Sequence, residues 1–424
     1  MEIQDKNISR DNFEQCIKCT ICTVYCPVLA ARPEYPGPKQ AGPDGERYRL
    51  KDPEFYDAAL KYCLNCKRCE VACPSDVKIG DIIQRARLKY DKKPVKLRDR
   101  MLAETDFVGT MASTVAPVAN FFLGLPVTKK VLDATIGVDS HRTFPKYSGR
   151  RFETWFKREA AAAQASYKKK VAYFHGCYVN YNNPKLGQDF VKVMNAIGYG
   201  VTLLDKERCC GVAKIANKLI DRARHDAAIN LKSIRHAVLD EKMPLLGTSS
   251  TCMFTMRDEY PHLLELDNAD VRDSMLLATA FIARLVEDGK VKLVFKKDYH
   301  KRLTYHTPCH MQKLGWAIYS LNLLRSVPGV EFVPIESACC GIAGTYGFKK
   351  ENYPTSQAIG KELFDSILAA KVDVVATDCE TCKWQIEMST GVSVENPISI
   401  IADALDVEAT IKAVSYTHLT LPTT

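Results

Sequence analysis

The sequence has 424 residues, a formal net charge of +9 and 17 cysteines. Its 46% hydrophobic and 26% charged residues are ordinary for a soluble globular protein, and its length is enough for two or three domains. Residues 1–15 are polar and charged, so no secretory signal is expected. Clustered cysteines in a reducing compartment more often bind metal than form disulfides, which argues against a disulfide framework.

The positive charge is concentrated in one part of the chain. Residues 85–170 contain 19 Lys/Arg and 8 Asp/Glu, so this segment exceeds the net charge of the whole chain. A basic block of this size predicts an anionic partner surface, either lipid headgroups or an acidic protein.

The cysteines divide the chain into zones that predict its domains. Residues 1–95 contain eight cysteines and are predicted to form a two-cluster ferredoxin-type domain. Residues 96–168 contain none and are predicted to be a basic, apolar linker that faces a membrane or a partner. Residues 169–295 and 296–412 contain four and five cysteines and are predicted to be two related units. Residues 413–424 have neither periodicity nor charge and are predicted to be a tail outside the fold.

The motif C-x2-C-x2-C-x3-C-P occurs twice in the first zone. It is the pattern of bacterial two-cluster ferredoxins, in which three thiols bind one cluster and the fourth binds the other. The first predicted [4Fe–4S] ligand set is Cys16, Cys19, Cys22 and Cys73. The second predicted [4Fe–4S] ligand set is Cys63, Cys66, Cys69 and Cys26. The alternative is a pair of structural zinc sites, although zinc more often uses two cysteine pairs separated by a longer loop.

Two further expectations concern the second motif. Residues 53–62 look like a helix that leads into it. Lys67 and Arg68 lie inside it, where they either raise the potential of the cluster or face solvent. We expect both side chains to face solvent.

An internal repeat occupies the second half of the chain. Residues 191–211 and 321–341 both read as the end of a helix, a glycine turn, a short strand and Cys-Cys-Gly. Each copy opens with a buried-looking strand that is followed by a cysteine. This alternation predicts a short parallel sheet in each copy, with the cysteines at the C-terminal strand ends, where ligands bind in such sheets. The predicted fold class is therefore multidomain α+β: a helical two-[4Fe–4S] ferredoxin domain followed by two α/β repeats.

The two copies differ in their cysteines. Five thiols in copy two exceed what a tetrahedral zinc needs and predict a third, larger or distorted iron–sulfur cluster. They are Cys309, Cys339, Cys340, Cys379 and Cys382. Copy one has Ser249 at the position of Cys379, and its four thiols fit a cubane cluster, a zinc ion or a degenerate site. They are Cys177, Cys209, Cys210 and Cys252.

Several other side chains lie close to these cysteines in sequence. His175, His306 and His310 are expected to hydrogen-bond locally or to pack, with direct metal ligation as the alternative. Trp384 and Tyr346 are expected to shield the site.

The unit of strand, cysteine, Cys-Cys-Gly and C-x2-C resembles the cysteine-rich CCG domain of heterodisulfide reductases, glycolate oxidase iron–sulfur subunits and lactate-utilisation proteins. Over residues 10–405 the chain is similar to the family of C subunits of the anaerobic glycerol-3-phosphate dehydrogenases of enteric-type bacteria. The most specific stretches are residues 37–47, 73–87, 339–360 and 377–390. In heterodisulfide reductases five cysteines of this unit bind a noncubane [4Fe–4S] cluster. The resemblance implies such a cluster in copy two, whereas copy one departs from the pattern at Ser249.

The resemblance also implies a role. The chain would be a non-catalytic electron-transfer subunit, peripheral on the cytoplasmic face of the bacterial inner membrane. Flavoprotein partner subunits would oxidise sn-glycerol 3-phosphate, and this chain would pass the electrons to a quinone, expected to be menaquinone, in anaerobic respiration. The sequence has no G-x-G-x-x-G motif, so we expect no flavin in this chain, and a flavin partner is needed to convert a two-electron oxidation into single electrons.

Residues 107–128 form an uncharged stretch of 22 residues that hydropathy alone would assign to a transmembrane helix. Pro117 and Pro126 argue against a lone span, because freed backbone groups would be unsatisfied in lipid. We expect an interfacial segment on an anionic membrane; the alternative is a solvated linker with a small packed helix pair. The basic residues on either side are Lys92, Lys93, Lys96, Arg98, Arg100, Lys129 and Lys130. The residues expected to continue this surface are Arg150, Arg151, Trp155, Phe156, Lys157 and Arg158.

These features and the resemblance favour an electron-transfer subunit of a glycerol-3-phosphate dehydrogenase over four alternatives. One alternative is an enzyme whose CCG cluster reduces a disulfide, as in heterodisulfide reductases, and another is an iron–sulfur subunit of a glycolate or lactate oxidase. A third is a structural metal protein with zinc in the repeats. A nucleic-acid role is disfavoured, because few base-stacking aromatic residues interleave with the basic block.

Overall fold

The N-terminal region is built of short helices joined by cysteine-bearing turns. The computed structural model describes residues 12–420, so residues 1–11, where no signal was expected, and residues 421–424 of the predicted tail lie outside it. The α-helices of this region are Ile21–Val24, Pro27–Ala31, Gly45–Lys51, Arg68–Val71 and Ile79–Tyr90. The tighter or wider helical turns are Phe13–Gln15, Gln40–Asp44 and Ala58–Tyr62.

The expected helix over residues 53–62 is wrong in its first half. Only the 3₁₀ turn Ala58–Tyr62 forms, and the Asp57 carboxylate caps it by accepting a hydrogen bond from the Ala59 N–H at 2.7 Å. The helix Ile79–Tyr90 contributes Ile79, Ile82, Ile83 and Ala86 to the buried cluster beneath the motifs, which also contains Leu60 of that turn. This spacing places all four side chains on one helical face.

Four helices follow, at Leu97–Ala103, Thr105–Thr114, Ala116–Gly124 and Pro126–Thr135. Within the described residues no single helix is long and apolar enough to cross a bilayer. The pair Thr105–Thr114 and Ala116–Gly124 meets these criteria only together, and it is bent by 106°.

The rest of the predicted linker does not form one continuous surface. Helical residues 152–164 pack into the core of the first α/β unit, so this unit begins before the predicted residue 169. Phe156 is buried in that core and Trp155 packs against it, so neither residue continues the membrane-facing surface as expected. Arg98 is also buried, because it pairs with Asp99 at 3.0 Å and with Glu351 at 2.7 Å.

The first α/β unit contains a four-stranded parallel sheet. Its strands are β1 (Lys169–Phe174), β2 (Tyr199–Leu203), β3 (Leu245–Gly247) and β4 (Met275–Leu277), in the order β2-β1-β3-β4. Its α-helices are Phe152–Trp155, Ala161–Gln164, Gly176–Tyr181, Pro184–Ala196, Val212–Ala216, Ile220–Arg235, Ser250–Phe254, Tyr260–Leu263 and Ala278–Glu287. Its other helical turns are Phe156–Ala160, His236–Asp240, Thr255–Glu259 and Arg272–Ser274.

The second α/β unit has a sheet of the same design. Its strands are β5 (Lys301–Tyr305), β6 (Val330–Phe332), β7 (Val374–Ala376) and β8 (Ser393–Glu395), in the order β6-β5-β7-β8 and all parallel. Its helices are Cys309–Leu314, Ala317–Arg325, Tyr346–Phe348, Tyr353–Ala370, Glu380–Thr390, Pro397–Ala404 and Val407–Thr420. The predicted fold class is confirmed: a helical N-terminal domain precedes two parallel α/β sheets.

The predicted tail is wrong at its beginning. The helix Val407–Thr420 continues through residue 413, and the Val414 side chain is only 4% exposed. Val414 belongs to the same buried cluster as Val193 and Ile197 of the first unit. The predicted tail has too few apolar residues to show a helical period in the sequence. The burial of Val414 depends on its packing against the first unit.

Candidate metal centres

The first predicted ligand set is assembled from both N-terminal motifs. Burial raises the pKa of the Cys22 thiol, and the charges of Cys16, Cys73 and Cys19 raise it further. Cys73 therefore lies beside the cysteines of the first motif, although 47 residues or more of sequence separate it from them. Its Sγ also accepts a hydrogen bond from the Val77 N–H at 3.4 Å.

The second predicted set is assembled in the same crossed manner. Burial raises the pKa of the Cys26 thiol to about 12, and the charges of Cys66 and Cys63 act in the same direction. Tyr35 is buried against all four thiols of this set. The structure thus brings together both predicted ligand sets, whose binding of metal remains a prediction.

All 17 cysteines lie in the described part of the chain, and none of them forms a disulfide there. A buried thiol with a raised pKa is costly to ionise, whereas bound iron takes the place of the proton and stabilises the thiolate. Clustered, buried and unpaired thiols are therefore a donor set that fits iron–sulfur clusters.

Lys67 does not face solvent, contrary to the expectation. Its side chain is buried, with Nζ 3.2 Å from Glu70 Oε1 and also paired with Asp81. Burial lowers the pKa of Lys67, but the Asp81 and Glu70 carboxylates outweigh this and raise it. Lys313 of the second α/β unit approaches the other oxygen of Glu70 at 3.0 Å, so the buried charges join the two domains.

Arg68 is only partly exposed and also contacts the second unit. Its guanidinium donates to the Ser337 carbonyl at 2.8 Å, in the loop that leads to Cys339. The second motif therefore contacts the second unit directly through Arg68, and through Glu70, the partner of Lys67, which also pairs with Lys313.

The five thiols of the second unit come together at the C-terminal edge of its sheet. Cys309 follows β5, Cys339 and Cys340 follow β6, and Cys379 and Cys382 follow β7. The Sγ atoms of Cys340 and Cys382 are 3.3 Å apart. Burial raises the pKa of Cys309, and the charges of Cys66, Cys339, Cys340 and Cys379 raise it further.

The backbone conformation and the close packing at position 341 both require glycine. Its φ is +80°, and a Cβ atom at this position would lie 2.0 Å from the Ser356 carbonyl oxygen. The vicinal cysteines can therefore turn towards the other thiols only with glycine after them.

The four thiols of the first unit also come together. Cys209 makes hydrogen bonds with Cys177 and Cys210, and these bonds hold the Cys209 pKa well below its usual value. Cys210 in turn contacts Cys252. Ser249, at the position of Cys379, accepts a hydrogen bond from the Cys252 N–H at 3.3 Å and caps the helix Ser250–Phe254.

Two of the flanking histidines follow the expectation of local packing. The His175 Nδ1 lies 3.1 Å from Glu207 Oε1, and burial lowers its pKa. The His310 ring stacks on Phe254 with centroids 4.4 Å apart, and burial lowers its pKa to about 4. His306 differs, because its ring approaches two thiols.

Buried carboxyl groups beside the thiols were missed by sequence reasoning. Burial raises the pKa of Asp106 to about 7 and that of Glu380 to about 8, and it raises the pKa of Glu207 well above its usual value. Glu207 and Glu380 are within two residues of a cysteine, which was an available signal. Asp106 had none, because only the fold brings its Oδ2 to 2.8 Å from the Cys209 N–H.

Thiols of the second N-terminal set and of both α/β units line a common cavity of about 850 Å³. Trp384 and Tyr346 line this cavity, where they were expected to shield the site. The lining cysteines come from all three domains: Cys63, Cys66, Cys177, Cys209, Cys210, Cys252, Cys309, Cys339, Cys340, Cys379 and Cys382. The chain thus combines a helical domain that carries two four-cysteine motifs with two α/β units whose thiols line the same cavity. This donor arrangement is that of an iron–sulfur protein.

Comparisons with known proteins agree with this class. A family described as "4Fe-4S dicluster domain" matches residues 12–77, and one described as "Cysteine-rich domain" matches residues 171–257 and 303–387. The chain is 57% identical over 394 residues to the C subunit of anaerobic glycerol-3-phosphate dehydrogenase of Escherichia coli (strain K12), a match that covers 93% of this chain and 99% of the relative. The chain belongs to this family of anaerobic glycerol-3-phosphate dehydrogenase C subunits, and the resemblance seen in the sequence is confirmed.

Two more distant relatives also match nearly the whole chain. The glycolate oxidase iron–sulfur subunit of Escherichia coli (strain K12) is 25% identical over 93% of this chain and 94% of the relative. The D subunit of the dihydromethanophenazine:CoB–CoM heterodisulfide reductase of Methanosarcina barkeri (strain Fusaro / DSM 804) is 23% identical over the same shares.

Proposed function

We propose that this chain is the electron-transferring iron–sulfur subunit of an anaerobic glycerol-3-phosphate dehydrogenase. Flavoprotein partner subunits oxidise sn-glycerol 3-phosphate, and the electrons leave through this chain to membrane quinone, menaquinone in anaerobic respiration, at the cytoplasmic face of the inner membrane. Family membership and one structural observation support the proposal. The thiols of the second N-terminal set, of the second unit and of the first unit are neighbours in that order, and the first unit contacts a helix with an exposed apolar surface.

The first contact joins the N-terminal domain to the second α/β unit. Burial raises the pKa of the Cys66 thiol to about 12, and the next largest cause is the charge of Cys339. Cys339 also packs against the hydrophobic cluster of the N-terminal domain. A thiol of the second N-terminal set therefore lies beside a thiol of the second unit, which favours transfer between these two sites.

The second contact joins the two α/β units at their thiol edges. The Cys379 Sγ lies 3.5 Å from Thr251 Oγ1, next to Cys252 in the first unit. The Ser250 N–H donates to the Asp378 carbonyl at 2.8 Å, and the Ser249 hydroxyl donates to Glu380 Oε1 at 3.1 Å. These bonds hold the helix that carries Cys252 against the loop that carries Cys379.

The third contact joins the first unit to the apolar helix Thr105–Thr114. Asp106 of this helix accepts the hydrogen bond from the Cys209 N–H. A Cβ atom at Gly109 would lie 2.5 Å from the Tyr181 ring, so glycine allows the helix to approach the unit closely. The inner face of the helix thus contacts the thiol site of the first unit, while Phe107 and Met111 on its outer face are exposed.

That outer face continues into the next two helices as a surface that we call the apolar patch. Its large side chains are about half or more exposed, and Phe107 and Val127 are the most exposed, at 67% and 71%. The patch consists of Phe107, Met111, Val115, Val118, Phe121, Phe122, Val127 and Val131. Exposed apolar patches of this kind mark interaction sites, and exposed Lys130, Lys146 and Arg150 fit the anionic headgroups of a lipid surface.

Iron–sulfur clusters held by the four thiol sets would supply one-electron carriers. The residues of this chain bury most thiols of the two α/β units, and Asp106 joins the site of the first unit to the helix that begins the apolar patch. They offer no hydride acceptor, which is why the substrate is assigned to flavoprotein partners.

The proposal is tested by anaerobic purification of the chain with its partner subunits, followed by iron, zinc and flavin analysis and electron paramagnetic resonance (EPR). We expect more than about eight irons per chain, the content of two cubane clusters, and flavin on the partners. Adding sn-glycerol 3-phosphate should elicit the EPR signals of the reduced centres, whereas lactate and glycolate should not. Reduction by lactate or glycolate alone would contradict the proposal.

A further inference from the structure

His306 is a buried imidazole beside the thiols of the second unit. It directly follows β5 and is 2% exposed, and neither ring nitrogen has a hydrogen-bond partner of ordinary geometry among the described residues. One ring nitrogen and the Sγ atoms of Cys340 and Cys382 all lie within 4.8 Å of one another. A buried polar group without a partner is costly, and the polar groups that this geometry places beside the His306 ring are the thiols of Cys340 and Cys382.

The first unit has an apolar side chain at the same structural position. Tyr305 of β5 pairs with Ala376 of β7, and Tyr173 of β1 pairs with Leu246 of β3. Three residues after these partners come Cys379 and Ser249, so the two registers are equivalent. The residue after each tyrosine is His306 in the second unit and buried Phe174 in the first.

The two thiol sites therefore differ at two positions, one that carries a thiol and one that carries an imidazole in the second unit. The second unit has Cys379 and His306 where the first unit has Ser249 and Phe174. Ser249 is accounted for by the helix cap that it forms, and Phe174 by the hydrophobic core around it. His306 has no such structural account, because it stacks on no ring and pairs with no carboxylate among residues 12–415.

We propose that His306 is a positioning residue that donates its ring N–H to the Cys340 sulfur when that thiolate binds the centre of the second unit. This inference rests on the proposed presence of an iron–sulfur centre there. A hydrogen bond to a ligating sulfur stabilises the more negative, reduced state and so raises the reduction potential. The imidazole keeps its proton, and one electron enters the centre.

The consequence is an asymmetry between two sites of the same fold. The second unit, which receives electrons from the N-terminal domain, holds its centre at a higher potential than the same thiols would give alone. The first unit has no donor at this position, so Phe174 leaves its site without that stabilisation. Five thiols already supply the metal donors of the second unit, so the imidazole is not needed as a ligand.

The test uses the full chain, anaerobically purified, with His306→Phe and His306→Gln. The phenylalanine is the residue of the first unit, and the glutamine keeps an N–H donor. In an EPR-monitored redox titration, His306→Phe should make the second-unit centre about tenfold harder to reduce, a shift of about 59 mV for one electron. His306→Gln should recover most of that shift. Equal shifts in both variants, or none in either, would overturn the inference.

A second measurement separates hydrogen bonding from ligation. In protein labelled with ¹⁵N-histidine, pulsed EPR should show a weak nitrogen coupling on this centre that His306→Phe removes. A strong coupling, typical of a bound nitrogen, would overturn the inference in favour of direct ligation. The N-terminal centres of the same samples are the internal control, and their potentials should not move.

The iron content distinguishes this failure from failure of the proposed function. Iron that does not exceed about eight atoms per chain in the unaltered protein would overturn both the third centre and the role of His306. Additional iron with an unmoved potential in His306→Phe would overturn only the role of His306.

Discussion

The two α/β units have the same strand order, but their thiols face different neighbours. The second unit contacts the N-terminal domain through Cys339 and Lys313, and the first contacts the apolar helix Thr105–Thr114 through Cys209. Their thiol edges face each other across the pair formed by Thr251 and Cys379. Each unit thus presents its thiols to a different partner, and under the proposed function the second unit is the entry side and the first unit the exit side for electrons.

The difference in thiols follows the difference in position. The second unit, next to the N-terminal domain, has all five cysteines and His306. The first unit uses Ser249 for a helix cap and for a bond to Glu380 of the second unit. One position therefore provides a buried thiol in one unit and an interface contact in the other.

The largest expected effect comes from removing one of the five thiols of the second unit. Cys340→Ser should abolish the centre of the second unit, with a loss of about four irons per chain, because Cys340 and Cys382 approach each other there. Iron analysis and EPR would measure the loss. Cys210→Ser is the matched change in the first unit and should leave the second-unit signal intact; loss of the same signal in both variants would show that the units are not separate sites.

The next largest effect tests the docking of the second unit on the N-terminal domain. Lys67→Met leaves Glu70 and Asp81 buried without their shared cation, and should destabilise the N-terminal domain by about 3–5 kcal/mol. Anaerobic urea unfolding followed by loss of the N-terminal EPR signals would measure it. Lys92→Met is the control, because the Lys92–Glu54 pair is exposed and contributes little; equal effects would contradict a buried network.

A third prediction tests the exit side. Replacing both Phe121 and Phe122 by serine should weaken binding to anionic phospholipid vesicles about a hundredfold, because two exposed aromatic side chains of the apolar patch are lost. Sedimentation with vesicles would measure it, and high salt should release the unaltered protein. Ile318→Ser, an exposed apolar residue of the second unit, is the control. Binding that resists both salt and carbonate would contradict an interfacial attachment.

The smallest expected effect concerns the interface of the two units. Ser249→Ala removes the cap of the helix Ser250–Phe254 and the bond to Glu380, and should cost about 1 kcal/mol. Hydrogen exchange at the Cys252 amide would report it. Ser249→Cys restores the pattern of the second unit and should alter the EPR signal of the first; an unchanged signal would show that the serine does not limit the metal site.

The sequence predicted the features that depend on local spacing. The doubled motif placed Cys73 and Cys26 in crossed sets because a short turn and a proline determine where the fourth thiol goes. The Cys-Cys-Gly turns and the parallel sheets follow from patterns within about twenty residues of sequence.

The features that it could not predict depend on distant packing. Lys67 was expected in solvent because its acidic partner Asp81 lies on another helix, which only the fold brings beneath the motif. Arg98 and Phe156 looked like parts of a membrane surface, yet each finds its partners in an α/β unit. Asp106 gave no signal at all, since its role is defined by contact with Cys209.

In the proposed function, electrons cross the second unit between the N-terminal domain and the membrane. The most direct test is rapid-freeze EPR of the complete complex on quinone-containing vesicles, with sn-glycerol 3-phosphate as the electron donor. In the Cys340→Ser variant we predict that the N-terminal centres become and stay reduced while quinone reduction is lost. Quinone reduction at the rate of the unaltered complex, with the second-unit centre absent, would contradict the account.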